Sequence, residues 1–120
     1  MNKTELQQRF VDFGVGCIHL TKHISNSYSG QHLSRQLVRS STSPALNYAE
    51  SISAESVSDF IHKLQICLKE LRETAVCLLM IQKANLCRDM KGINKLRDEC
   101  NQLIAILVKS SQTTKRRYKK

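Results

Sequence analysis

The chain has 120 residues, one Pro, four Gly, no Trp and a net charge of +9. That length suits one domain burying roughly two-thirds of its unfolded surface. Turn formers and aromatics are scarce, and Leu, Lys, Gln, Glu and Arg fill long stretches, which points to an all-α protein and excludes a β-sandwich or barrel. No run nears the roughly 18 apolar residues of a membrane span, and the polar N-terminus is followed by no apolar stretch of the signal-peptide type. The five cysteines, Cys17, Cys67, Cys77, Cys87 and Cys100, form no CxxC pair. They read as reduced, largely inward-facing thiols of a cytoplasmic protein rather than as a disulfide scaffold.

The first predicted helix runs from about Thr4 to about Ile24. Leu6, Phe10, Phe13, Cys17, Leu20 and Ile24 alternate spacings of four and three, which is the seam of a packed helix. Gly14 and Gly16 weaken it by about 1 kcal/mol each relative to Ala, and leave room for a close neighbour. SNSYSG at 25–30 reads as a turn. The second helix is expected from about Gln31 to about Ser51. Its Leu33 and Leu37 carry the register into RSSTSPALNYAE (39–50), which puts Ser40, Pro44 and Asn47 at inward positions. An unsatisfied buried polar group costs about 1–3 kcal/mol. This stretch therefore meets a polar stripe on another helix or lines a surface used for assembly or binding. Pro44 has no N–H for the Ser40 carbonyl, so a kink is expected there.

SISAES at 51–56 reads as the second turn, with Ser56 and Asp59 resembling a capping box and Ser53 as an alternative cap. The third helix is the longest, with Val57, Phe60, Leu64, Cys67, Leu71, Thr74, Leu78 and Ile81 inward. A third connection falls within 85–92, where Gly92 is the clearest breaker. The fourth helix carries Ile93, Leu96, Cys100, Leu103 and Leu107 and is expected to fray after about Ser111. Four helices on short loops make an antiparallel up-down-up-down four-helix bundle over 1–112, followed by a basic tail, 113–120.

Ser40, Ser43, Asn47 and Glu50 share one face of the second helix, with Arg39 beside them, and Asp59, Lys63, Glu70 and Glu73 share one face of the third. Lys63 is placed to meet Glu50 or Glu70, and Arg39 to meet Glu70 or Glu73. The stripes read as a network fixing helix register or subunit contacts; a ligand site on that face is the alternative. No nucleophile with a base, no glycine-rich phosphate cradle and no dinucleotide fingerprint occurs, so neither an enzyme nor a cofactor or small-molecule substrate is expected. His19 and His23 have ligand spacing on a helix but no evident third partner, and read as surface residues.

The charge is one-sided. Residues 1–60 hold five basic and five acidic residues, and residues 61–120 hold fourteen and five. Lys109, Lys115, Arg116, Arg117, Lys119 and Lys120, with Tyr118 among them, form a C-terminal cluster suited to phosphates and to stacking on an unpaired base.

The segments RSSTSPALNYAE, SVSDFIHKLQICLKELRET (56–74) and LRDECNQLIAIL (96–107) together resemble the bacterial four-helix-bundle proteins encoded in intervening sequences of 23S ribosomal RNA genes. The resemblance covers about residues 5–112. It implies an up-and-down bundle that assembles as a ring-shaped homo-pentamer, with no established enzymatic activity. It also implies a distant relation to the basic, nucleic-acid-binding accessory proteins of diversity-generating retroelements. Three positions depart from the family pattern. Pro44 replaces a β-branched apolar residue, Ser51 replaces Gly, and Val76 with Cys77 replaces an aromatic pair. The last bears on the oligomer, because aromatics anchor interfaces. The expectation is a cytoplasmic homo-oligomer that binds RNA or DNA non-specifically through its basic C-terminal half. The alternative is an assembly scaffold for another protein, with no nucleic-acid role.

Overall fold

The unbroken seam of the first stretch folds as helix α1, Lys3–Leu20, in a computed structural model that describes residues 1–118. Asn2 caps it, its side chain accepting the Glu5 N–H at 2.8 Å. A 3-10 turn, Thr21–His23, ends the segment. All six seam residues from Leu6 to Ile24 are buried.

Helix α2 spans Tyr28–Ile52, α3 spans Val57–Lys83 and α4 spans Met90–Arg117. Besides the end of α1, which stops at Leu20 rather than at about Ile24 because the chain tightens into the 3-10 turn, three boundaries differ from the sequence expectation, each for a local reason. The turn expected over 25–30 is shorter, because Ser27 caps α2 and accepts the Gly30 N–H at 3.1 Å. Gly92 is likewise no breaker: Asp89 caps α4 and accepts the Gly92 N–H at 2.9 Å. Both glycines sit three residues inside their helix because a side chain has no room there. A Cβ on Gly30 would lie 1.9 Å from the Ser25 carbonyl oxygen, and one on Gly92 would lie 2.2 Å from Asp89 Oδ2. The real stop of α3 is Asn85, at φ 56°. Its N–H bonds the Gln82 carbonyl, and the Leu86 N–H bonds the Ile81 carbonyl, each at 3.0 Å, which closes the helix end with a left-handed residue.

The third difference is at the C-terminus. α4 continues past Ser111 to Arg117, so residues 113–117 of the expected tail are helix, and α4 rather than α3 is the longest of the four. Nothing in that stretch breaks a helix, and the Thr114 hydroxyl donates to the Ser110 carbonyl at 2.9 Å. Lys115, Arg116 and Arg117 also complement the negative end of the helix dipole.

The helices pack as an antiparallel four-helix bundle, α1 on α2, α2 on α3 and α3 on α4, with the thinner α1–α4 contact closing the square. Gly14 lets α1 approach α2: a Cβ there would meet the Ser41 carbonyl oxygen at 3.3 Å. Gly16 faces α4, where a Cβ would meet Leu96 Cδ2 at 2.9 Å. The third-helix seam is buried from Leu64 to Ile81, but Phe60 is half-buried and Val57 is exposed, since it lies in the first turn at the bundle's end. At the opposite end the α1–α2 and α3–α4 loops are stitched together. The Ser25 N–H bonds the Leu86 carbonyl at 2.7 Å and the Arg88 N–H bonds the His23 carbonyl at 3.0 Å. No described helix is long and apolar enough to cross a membrane.

Candidate functional site

Of the inward positions expected on α2, Ser40 and Pro44 are buried but Asn47 is only half-buried, and Ser41, which was not expected inward, joins Ser40 at 0 % exposure. Ser40 meets Thr74 of α3. The Thr74 hydroxyl lies 2.8 Å from both Ser40 Oγ and the Glu70 carbonyl. It has one proton, and a carbonyl only accepts, so Thr74 donates to Glu70 and the Ser40 hydroxyl donates to Thr74. Two carbonyls of α2 take thiols from α3: Cys67 Sγ lies 3.5 Å from the Pro44 oxygen, and Cys77 Sγ 3.5 Å from the Leu33 oxygen. Gln7 of α1 donates to the Ala45 carbonyl at 3.0 Å. The proline turn is thus serviced by side chains from both neighbouring helices.

The charged stripes meet at the rim of the same interface. Arg39 bridges Glu70 at 3.0 Å and also Glu73, and Lys63 reaches Glu50 at 3.3 Å. Arg39 is half exposed, so such pairs contribute on the order of 0–1 kcal/mol each and mainly set register. Ser43 and Asn47 do not reach α3. They bond each other along α2, Asn47 Nδ2 to Ser43 Oγ at 2.9 Å, because one turn of helix separates them. Asp59 is half-buried and contributes only its backbone N–H, which Ser56 Oγ caps at 3.0 Å.

Periodicity gave no sign of the polar grip between α1 and α4. Arg9 makes a forked pair with Glu99, at 3.0 and 2.6 Å, and reaches Gln102 at 3.2 Å. The hydrogen bond to Glu99 raises the guanidinium pKa further. Beside this pair a groove of about 630 Å³ runs along α1 and α4, with exposed His19 and His23 at its lip. No cluster of three or more His, Cys, Asp or Glu groups arranged for a metal occurs among the described residues.

All five thiols are free and buried. Burial pushes Cys67 and Cys100 up to about 12 and Cys77 to about 11. Cys17 is also pushed to about 12 by burial, with Ser41 beside it pulling the other way. Groups so far above the usual thiol range are protonated at neutral pH and serve as small core residues, not as nucleophiles.

The basic cluster lies on the last turns of α4. Lys109, Lys115, Arg116, Arg117 and Tyr118 are all exposed, and the Arg117 guanidinium stands 5.9 Å from the centre of the Tyr118 ring. Lys119 and Lys120 lie outside the described residues.

No curated protein matches the chain significantly. Among solved structures, the crystal structure of a protein of unknown function from the S23 ribosomal protein family of Bacteroides thetaiotaomicron is similar. It is 28% identical, with a TM-score of 0.80, covering 93% of this chain and 99% of that one. A profile of the 23S rRNA-intervening sequence proteins matches residues 2–109, a span that contains all of the α2–α3 network and stops at Lys109. With the bundle and that match in agreement, the chain belongs to the 23S rRNA-intervening sequence protein family.

Proposed function

We propose that this protein is a non-enzymatic, cytoplasmic homo-oligomer that binds nucleic acid without sequence preference through its basic C-terminal half. The observation that carries this reading is the end of α4. There Lys109, Lys115, Arg116 and Arg117 are exposed and enter no ion pair among the described residues, whereas Arg9, Arg39 and Lys63 are each tied to a carboxylate. Unpaired surface cations attract a polyanion and release its counterions on contact.

Assembly is supported by two apolar rows that the bundle does not cover. Val11, Val15 and Ile18 are about two-fifths exposed on α1, and Val76, Leu79 and Met80 are exposed on α3. α1 and α3 are not sequence neighbours in the square, so the rows face different sides. Unlike patches on different sides suit a head-to-tail contact that closes a ring, as in the pentamer the family resemblance implies. Val76, one of the departures from the family pattern, falls on such a row. The second reading, a scaffold for a different protein, draws on the same rows.

The test measures affinity for generic RNA and DNA against salt, with and without residues 115–120, alongside solution mass. Each duplex phosphate neutralised contributes about −0.9 to the log–log salt slope. The truncated chain is expected to bind more weakly with a flatter slope, and the full chain to have a mass several times 13.7 kDa. Unchanged affinity and slope overturn the nucleic-acid reading. A monomer overturns the ring.

A further inference from the structure

Between α3 and α4, near the end of the bundle that carries the basic cluster, two adjoining cavities of about 600 and 370 Å³ form one groove. Its floor is apolar, with Leu68 and Val108 in one cavity and Ile61 in the other. Its walls carry Arg72, Gln65 and His62 from α3 and Gln112, Lys115 and Tyr118 from α4. These positions recur at helical spacing on each helix, so both rows face the groove.

Three features mark this groove. Its lining holds no carboxylate, whereas the groove between α1 and α4 is lined by Asp12, Asp89, Asp98 and Glu99. Arg72 and Lys115 enter no ion pair among the described residues, and both are exposed. Tyr118 is 57% exposed at the groove's mouth, an accessible ring in the same lining as Lys115. A role at the helix dipole accounts for Lys115 but not for Arg72, which lies mid-helix on α3, or for the two amides.

We propose that this groove is a track for a single-stranded nucleic acid. Arg72 and Lys115 take phosphates, Gln65 and Gln112 hydrogen-bond sugars or base edges, and Tyr118 stacks on an unpaired base. From Ser58 to Arg72 the α3 wall is about 20 Å long at 1.5 Å per residue, room for a few nucleotides. A shallow groove with apolar residues in its floor and an exposed ring at its edge suits exposed bases; a duplex hides its bases and offers only phosphates. The assignment rests on the nucleic-acid reading above and narrows it to one strand and one face.

The experiment compares a labelled oligouridylate with a duplex of the same length by fluorescence anisotropy, using the full chain, Tyr118→Leu and Arg72→Gln. Both sites are exposed, and unchanged thermal melting shows that each variant folds. Tyr118→Leu is expected to weaken single-strand binding by about 5- to 150-fold, the effect of losing one stacked base, while duplex binding changes less than about twofold. Arg72→Gln is expected to flatten the single-strand salt slope by about 0.7. If both variants bind the single strand like the wild type while removal of 115–120 abolishes binding, the groove is overturned and the basic end stands. Equal losses on single strand and duplex overturn the stacking role. Displacement of the oligonucleotide by polyglutamate at equal charge overturns it too, because that polymer has charge and no bases. If the unmodified chain binds neither nucleic acid, the broader reading falls and the groove falls with it.

Discussion

The α2–α3 and α1–α4 interfaces close the same bundle by different means. Between α2 and α3 the contact is close and continuous, with the Ser40–Thr74 pair at its centre, Cys67 and Cys77 donating to α2 carbonyls, and Arg39 and Lys63 pinning the rim. Between α1 and α4 the contact is thinner, a groove of about 630 Å³ opens along it, and the forked Arg9–Glu99 pair bridges the two helices. Chain connectivity explains the contrast. α2 and α3 are joined by a tight turn, so the chain itself constrains their register and buried polar groups can make it specific. α1 and α4 are first and last in sequence, and a charged side chain with long reach tolerates the slack of that closure.

The comparison can be broken from either side. The largest effect is expected at its buried centre. Thr74→Val keeps the shape, removes the hydroxyl and strands Ser40, which should cost about 1–3 kcal/mol. Urea denaturation measures it, and Ser40→Ala in the same background should recover part of the loss. A cost below about 0.5 kcal/mol would show that the pair does not specify the seam.

Thiol labelling sharpens the contrast next. Local opening of the looser α1 should expose Cys17 before the α2–α3 contact releases Cys67. A factor of about ten in native-state labelling by a disulfide reagent corresponds to about 1.4 kcal/mol between the two openings; equal rates would mean the interfaces open together. The same thiols make stability depend on pH. The unfolded chain loses thiol protons from about pH 9, whereas burial holds them to about 11 in Cys77 and about 12 in Cys17, Cys67 and Cys100. Stability is therefore full below about pH 9 and falls as the pH climbs towards 12.

The smallest effects are expected from the two glycines of α1. Gly14→Ala presses on the Ser41 backbone carbonyl in a tight contact and should destabilise by up to about 1 kcal/mol despite the better helix former. Gly16→Ala presses only on the end of the Leu96 side chain, beside the groove, and should be neutral or stabilising by up to about 1 kcal/mol. Opposite signs in thermal melting support the contrast; equal signs remove it.

Much of the bundle was legible because heptad spacing reports what each helix buries. The seam of α1 and the inward Ser40 of α2 were readable from their own periodicity, though Ser41 was not, and the Arg39–Glu70 and Lys63–Glu50 pairs were readable from stripes on two successive helices. Arg9–Glu99 was not, because nothing in the local pattern of either helix ties residues so far apart in sequence. The helix ends were misplaced where a glycine was taken as a breaker. At Gly30 and Gly92 the absent side chain serves a cap, and the left-handed residue that ends α3 is an asparagine. The basic end of α4 read as a tail because its charges suggested solvent. Lys and Arg are also good helix formers, and the helix runs through them. The α3–α4 groove was invisible from sequence because its two rows come from different helices, and only packing brings Arg72 and Lys115 to one face.

The stitched loops give the bundle a built-in polarity of motion. Backbone bonds from Ser25 to Leu86 and from Arg88 to His23 clamp all four helices at one end, like the joined end of a pair of tweezers. At the other end lie the start of α1, the end of α4 and the short α2–α3 turn, whose backbone bonds, Ser53 to Glu50 and Ala54 to Ser51, stay within the turn. Thermal splaying is therefore expected to grow towards that end, where Lys115, Arg117 and Tyr118 stand. A surface there can adjust its width to an irregular ligand without loosening the clamped end.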